Sequence, residues 1–204
     1  MRLYHDCLLP ALIDLSMRNA RLLPYRQRVI GAAQGRVLEI GIGSGLNLPY
    51  YPAQTGEIFG LDPLPGLLAR TGRKVEGARA PVRLLAGSAE QIPLGDRSID
   101  TVVSTWTACS IPRIAAALSE MRRVLRPGGR LLFVEHGRAP SERVALWQDR
   151  LTPLWRRLAG GCHLNRRIDD LIAGAGFRID RLECGYAQGP RIMTFFYEGA
   201  ATPR

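Results

Sequence analysis

The chain has 204 residues, 46% of them hydrophobic, which suits one α/β domain with a sizeable core. Its formal charge is +10, carried almost wholly by arginine, with Lys74 the single lysine. The arginines form no long block, which argues against a basic nucleic-acid arm. The four cysteines form no C-x-x-C pair, which argues against a zinc knuckle or redox couple and for a reduced, cytoplasmic chain with no metal.

Residues from about 5 to 33 read as one or two helices, with Leu8, Leu9, Leu12, Ile13 and Met17 at rough helical spacing. Pro24 is expected to separate a second helix, Tyr25 to Ala33. This segment, 1–34, is expected to pack on a core domain over 35–204, as a plain packing element or over a ligand cleft. Asp6, Pro10, Asp14 and Arg18 interrupt its apolar patches, so neither a signal peptide nor a transmembrane span is expected.

Val37, Leu38 and Ile40 then form a short buried strand, with Glu39 near its end and Gly41, Gly43 and Gly45 in a tight loop after it. Such a loop brings bare backbone N–H groups within reach of a ligand. A dinucleotide fingerprint would need a third glycine at 46, where Leu46 stands, and this argues against a nicotinamide cofactor. Residues 46–51, with Asn47, Pro49 and Tyr50, read as a loop or short helix. Glu57 to Asp62 is a second strand ending in an acid. A carboxylate there can accept from both hydroxyls of a ribose, or can cap the helix expected from Leu67 to Lys74 after Pro63 and Pro65.

Val82 to Ala86 is a third strand, followed by Gly87, Ser88, Ala89 and Glu90. Ile99 to Thr105 is a fourth, ending in Ser104 and Thr105. Ile114 to Leu125 has helical spacing, stopped by Arg126-Pro-Gly-Gly129. Arg130 to Glu135 is a fifth strand, with His136 just past it. Arg143 to Ala159 reads as a helix broken or kinked at Pro153. Residues 160–165 form a loop carrying Cys162 and His163, and Arg166 to Ala175 a last helix. Phe177 to Glu183 and Arg191 to Tyr197 would close the sheet, joined through Gly185 and Gly189-Pro190. The alternation predicts a Rossmann-like, doubly wound, seven-stranded, mainly parallel sheet with an antiparallel closing strand. Ligands then bind at the carboxyl edge, where Glu39, Asp62, Ser88, Ser104, Thr105, Glu135 and His136 converge.

His136 and His163 are the residues suited to move a proton near neutrality, ahead of Glu135, although each histidine can also be a hydrogen-bonded loop residue. Cys109 and Cys162 read as small buried residues. Trp147, Leu151, Leu154, Trp155 and Leu158 read as a core stripe, the wall of an apolar pocket, or, with Arg150, Arg156 and Arg157, a face touching membrane.

The pattern E-x-G-x-G-x-G over Glu39 to Gly45 resembles motif I of the class I S-adenosylmethionine-dependent methyltransferases. Arg122-Arg-Val-Leu-Arg-Pro-Gly-Gly129 resembles the branch that includes the ubiquinone and menaquinone C-methyltransferases. A closer resemblance is to the methyltransferase-like alkyl thiol methyltransferases. It rests on Leu38 to Gly45 with Asn47 and Tyr51-Pro52, Leu61-Asp-Pro63, Ala108-Cys-Ser-Ile111, Phe133-x-Glu-His136, Trp147, Pro153-x-Trp155, and Gly161-Cys-His-Leu-Asn-Arg166. That family carries an apolar N-terminal anchor that the opening of this chain does not match. The glycine loop followed by Leu-Pro-Tyr is also similar to bacterial phospholipid N-methyltransferases.

The resemblance implies S-adenosylmethionine as cofactor. It would be held by Glu39, Gly41, Gly43, Gly45, Asn47, Asp62, Pro63, Ser88, Ala89, Glu90, Ser104 and Thr105. The loop N–H groups and a following helix N-terminus would face its carboxylate, and Glu39 its amino group. The family often has Asp after the third strand where Ser88 stands, so the adenine contact would pass to Ser88 or Glu90. The acceptor is expected to be a small, largely apolar molecule: a thiol first, then an amino-lipid or quinone-ring carbon, with a non-catalytic cofactor-binding module as the reading of another class. Peripheral membrane contact stays open, as does oligomeric state. No sequence-specific nucleic-acid binding is expected, since Ser104-Thr-Trp106 stands where an N-P-P-Y-like motif would be.

Overall fold

The structure, a computed structural model, describes residues 8–204. The first residues of the expected opening helix, 5–7, lie outside it. Helix α1 spans Leu9–Met17 and α2 Leu23–Gly31. Pro24 does not separate helices; it sits in the first turn of α2, where its missing N–H would have no intrahelical partner.

Seven strands follow: β1 (Gly35–Ile40), β2 (Thr55–Asp62), β3 (Val82–Ala86), β4 (Ile99–Thr105), β5 (Leu125–His136), β6 (Phe177–Tyr186) and β7 (Phe195–Pro203). They form one sheet in the order β3-β2-β1-β4-β5-β7-β6. The pairs from β3 through β5 are parallel, and β7 runs antiparallel to both β5 and β6. Four further helices are α3 (Pro65–Gly72), α4 (Ile114–Val124), α5 (Glu142–Leu158) and α6 (Ile168–Gly174). Only a 3-10 turn, Leu48–Tyr50, stands between the glycine loop and Pro52.

The period-2 alternation of strand side chains sorts the core into two layers. Leu38, Ile40, Val102, Leu131 and Phe133 pack with Ala117, Leu118 and Met121 of α4 and with Ile168 and Ile172 of α6. Val37, Val103, Leu132 and Val134 pack on the other face with Val29 and Ile30 of α2 and with Tyr51. The N-terminal segment thus shares a core with the sheet.

Three expectations are corrected. Arg126 to Gly129 does not simply end a helix; it is a bulge inside β5, where the register moves from Ile99↔Leu125 to Thr101↔Arg130. Gly185 lies within β6 and joins nothing. The closing strand lies at 195–203, not 191–197. Met193 N–H donates to Pro190 O at 2.9 Å, so residues 190–194 turn and the strand begins at Phe195. Its small centre is a packing requirement: a Cβ on Gly199 would lie 2.3 Å from Arg181 O and 2.7 Å from Phe133 Cζ.

Candidate functional site

The carboxyl ends of β1, β2, β4 and β5 meet along one edge, as the crossovers require. At β2, Asp62 is buried and accepts from Gly43 N–H at 3.0 Å and Leu64 N–H at 2.9 Å. It therefore ties the glycine loop to the turn that opens α3. Burial pushes its pKa up while these two N–H groups pull it down. Space lies beside it: a Cβ on Gly43 would meet only Gly41 O, at 3.8 Å, and one on Gly87 only Leu61 Cδ1, at 3.4 Å. A fixed carboxylate flanked by two glycines fits a nucleoside whose ribose hydroxyls donate to it.

The glycine loop departs from expectation. The N–H groups of Gly41, Gly43 and Gly45 donate to Leu61 O, Asp62 Oδ2 and Ile42 O at 2.8, 3.0 and 3.0 Å. No α-helix follows to point its N-terminus at a ligand. The loop is closed onto β2 because all three glycines adopt positive φ, 66°, 60° and 72°. Thr71 of α3 reinforces it by donating to Gly43 O at 2.6 Å.

Glu39 faces inward. Asn47 Nδ2 donates to one of its oxygens at 2.6 Å and the Tyr51 hydroxyl to the other at 2.8 Å. Burial raises its pKa to about 7, against the pull of Tyr51, Asn47 and Arg26. Asn47 Nδ2 also lies 3.0 Å from Thr105 Oγ1, and its Oδ1 accepts from the buried Arg26 guanidinium. That guanidinium stacks 4.9 Å over Trp106, whose φ of 50° is a strained conformation at the end of β4. Sequence reasoning missed Arg26 and Trp106; only the positive φ and the stack reveal them. Glu39 thus orients Asn47 rather than facing an open cleft.

Ser104 and Thr105 point to opposite sheet faces, as strand neighbours must. Ser104 donates to Glu135 at 2.7 Å, and Thr107 N–H donates to the same carboxylate at 3.1 Å. Burial pushes Glu135 up to about 7. A cavity of about 10 Å³ beside it, lined by Ser104, Met121 and Phe133 among others, holds at most one water-sized group. After β3, Ser88 Oγ accepts from Glu90 N–H at 3.1 Å, Ala89 is buried, and Glu90 is held by Arg113 at 2.7 Å. Pro63 is exposed in the turn. On the α1–α3 side of the loop, Asp14, Arg18, Ser44, Arg70, Arg73 and Lys74 line a polar pocket of about 250 Å³.

A second cluster of candidate residues is built from the end of β5 and the 160–166 loop. His136 Nε2 lies 3.0 Å from Cys162 Sγ, and burial lowers its pKa to about 4. His163 Nδ1 lies 2.9 Å from Cys109 O, and the Arg166 guanidinium donates to Ala108 O. The loop is bound to the segment just after β5 through Arg138 N–H, which donates to Arg166 O at 2.8 Å. Cys109 is buried, as expected, but Cys162 is only partly so.

Helix α5 runs unbroken through Pro153. Its buried face carries Ala145, Gln148 and Thr152, so the expected tryptophan–leucine stripe is not its core face. Gln148 docks the helix by accepting from Ala139 N–H at 2.9 Å and donating to Gly137 O and Ile192 O at 2.9 and 3.0 Å. Leu146, Trp147 and Leu154 are about half exposed. No helix of the described residues is long and apolar enough to cross a membrane.

Residues 38–133 match the family described as "Methyltransferase domain". The chain is 34% identical over 151 residues to the thiol S-methyltransferase TMT1B of Rattus norvegicus, covering 72% of this chain and 62% of that one. It is 35% identical over 130 residues to the phosphatidylethanolamine N-methyltransferase of Cereibacter sphaeroides, covering 62% and 64%. It is 30% identical over 179 residues to the ubiquinone/menaquinone biosynthesis C-methyltransferase UbiE of Syntrophotalea carbinolica, covering 84% and 70%. The chain thus spans under two thirds of the length of the first two of these relatives.

Proposed function

The chain belongs to the S-adenosylmethionine-dependent class I methyltransferases, and on that premise we propose that it methylates a small, largely apolar thiol. Bound S-adenosylmethionine supplies an electrophilic methyl group on a sulfonium centre. The cofactor residues have the roles their positions suit. Asp62 grips the ribose between Gly43 and Gly87, Ser88, Ala89 and Glu90 border the base, and Asn47, aimed by Glu39 and Arg26, faces the amino-acid end. The reaction then needs donor and acceptor held in line, with water excluded.

One observation carries the thiol reading: His163 and Arg166 are brought together on the carbonyls of Cys109 and Ala108 at the end of β4. A carbonyl partner at Nδ1 requires the Nδ1–H tautomer, which leaves Nε2 of His163 as a proton acceptor. Arg166 favours the anion that forms when a weak acid gives up its proton. His136, held neutral by burial, is the poorer base. The likeness to thiol S-methyltransferases supports the same acceptor. The test is a screen with labelled donor across alkyl thiols, amino-lipids and quinol precursors. Transfer to an alkyl thiol is expected; transfer to an amino-lipid alone would replace this reading.

The amino-lipid reading is second. It is favoured by the half-exposed Trp147 and Leu154 of α5, with Arg150 stacked 5.7 Å over Trp147, a surface suited to a lipid interface.

A further inference from the structure

Three side chains that lie 26 to 53 residues apart in sequence converge at the end of β5. The sulfurs of Cys109 and Cys162 and one ring nitrogen of His136 all lie within 4.8 Å of one another. They come from three separate segments: the turn after β4, the last residue of β5, and the loop after α5. His136 presents Nε2 to Cys162 Sγ at 3.0 Å. Cys109 is buried, and its sulfur meets the Cys162 thiol as well as two weak partners, Trp106 O at 3.7 Å and Ser110 Oγ at 3.5 Å. Neither thiol is in a disulfide.

We propose that Cys109, His136 and Cys162 form a binding site for one soft divalent cation, zinc being the best match. In a tetrahedral Cys₂His site, ligand atoms stand roughly 3.5–3.8 Å apart, given zinc–sulfur and zinc–nitrogen bonds of about 2.3 and 2.0 Å. The observed separations, at most 4.8 Å, lie within about 1 Å of that spacing. Two thiols lose their protons on binding, so the dipositive ion and two thiolates make a neutral centre. That neutrality lets the site tolerate the neighbouring Arg166. Oxygen-seeking cations such as magnesium and calcium are disfavoured by a sulfur-rich donor set.

Three protein ligands leave the fourth tetrahedral position for a ligand from outside, the arrangement of reactive rather than purely structural zinc sites. A thiol is the natural occupant, and it would bind as thiolate with its proton released. That the occupant is the methyl acceptor rests on the function proposed above; the metal site itself does not.

The test uses the full chain, purified reduced and stripped with a chelator. Zinc is titrated in competition with a chromophoric chelator, and cobalt is titrated to read thiolate-to-metal charge-transfer absorption. One equivalent should bind, with the cobalt spectrum of a tetrahedral sulfur-containing site. Cys162→Ser and His136→Gln should each weaken zinc at least tenfold, and Cys109→Ser about a hundredfold. Cys184→Ser, on the exposed edge strand, should change nothing. Cys109 is buried, so folding of its variant is checked by circular dichroism, and Cys162→Ser carries the decision if that variant unfolds. Absence of stoichiometric binding would overturn the site, as would binding unchanged in Cys162→Ser and His136→Gln. A cobalt spectrum that shifts on adding an alkyl thiol supports the open fourth position. A spectrum that stays put, with metal bound, removes the thiol occupant and leaves the metal site standing.

Discussion

The N–H of Gly43 donates to Oδ2 of Asp62 at 3.0 Å, so the glycine loop after β1 and the acid that ends β2 act as one unit. Leu64 N–H holds the other oxygen at 2.9 Å. The carboxylate is thereby held in one orientation, so a ligand hydroxyl that bonds it would pay no cost of rotamer freedom on its side.

Asp62→Ala should therefore weaken S-adenosylmethionine binding by about 1.5–3 kcal/mol for each charge-assisted hydrogen bond lost. Calorimetry on the variant and the parent checks this. The parent should show no heat with NAD. Equal affinity of the variant and the parent would remove Asp62 from the site.

Glu39 provides a stability signature. Its carboxyl is raised by burial from 4.5 to about 7 in the folded protein. A raised acid favours the folded state while protonated. Its contribution is full below pH 4.5 and lost as pH climbs through about 7, on the order of 3 kcal/mol in all. Glu39→Gln keeps an acceptor for Asn47 and cannot ionise. Denaturant unfolding between pH 5 and 8 should show a flatter decline in the variant than in the parent. Parallel curves would mean that Glu39 does not titrate there.

Gly137 follows β5 and packs against the 160–166 loop. A Cβ at this position would fall 2.4 Å from Arg166 O, a backbone atom that cannot swing away. Gly137→Ala should cost about 1–3 kcal/mol and displace the 160–166 loop. Turnover should fall sharply while donor binding is kept. A fully active variant would show that this loop does not shape the acceptor site.

His163→Ala tests proton removal. A free thiol has a pKa of about 8.5 and is mostly protonated near neutrality. If Nε2 of His163 takes that proton, the variant should lose most activity at pH 6–7 and recover toward the parent by pH 9, where the thiol ionises unaided. Donor affinity should not change. A loss constant with pH would point to positioning instead.

The outer face of α5 offers a binding measurement. Trp147 and Leu154 are half exposed with Arg150 between them, and Arg156 and Arg157 follow, so the chain should sediment with anionic vesicles more than with neutral ones. Trp147→Ala with Leu154→Ser should lower that fraction several-fold. Equal sedimentation of variant and parent would leave this face without a lipid role.

What the sequence determined is what local pattern encodes. The β-branched runs and alternating helices specify the five parallel strands, because strand and helix periods are properties of neighbouring residues. The spacing of Gly41, Gly43 and Gly45 and the acids at strand ends mark the candidate site edge, because a parallel sheet brings all its carboxyl ends together. Tertiary structure decided what depends on partners far along the chain. The closing strand moved to Phe195–Pro203, where only a glycine fits at position 199 between Phe133 of β5 and Arg181 of β6. Gln148, not the tryptophan stripe, docks α5, since a buried polar side chain is tolerated once its hydrogen bonds are met. Arg26 reached Asn47, which with Tyr51 takes up both oxygens of Glu39, contacts that no spacing announces. The cysteines, unpaired in sequence, meet His136 only because the turn after β4, the end of β5 and the loop after α5 close on one another, and a constellation assembled from three segments has no local signal.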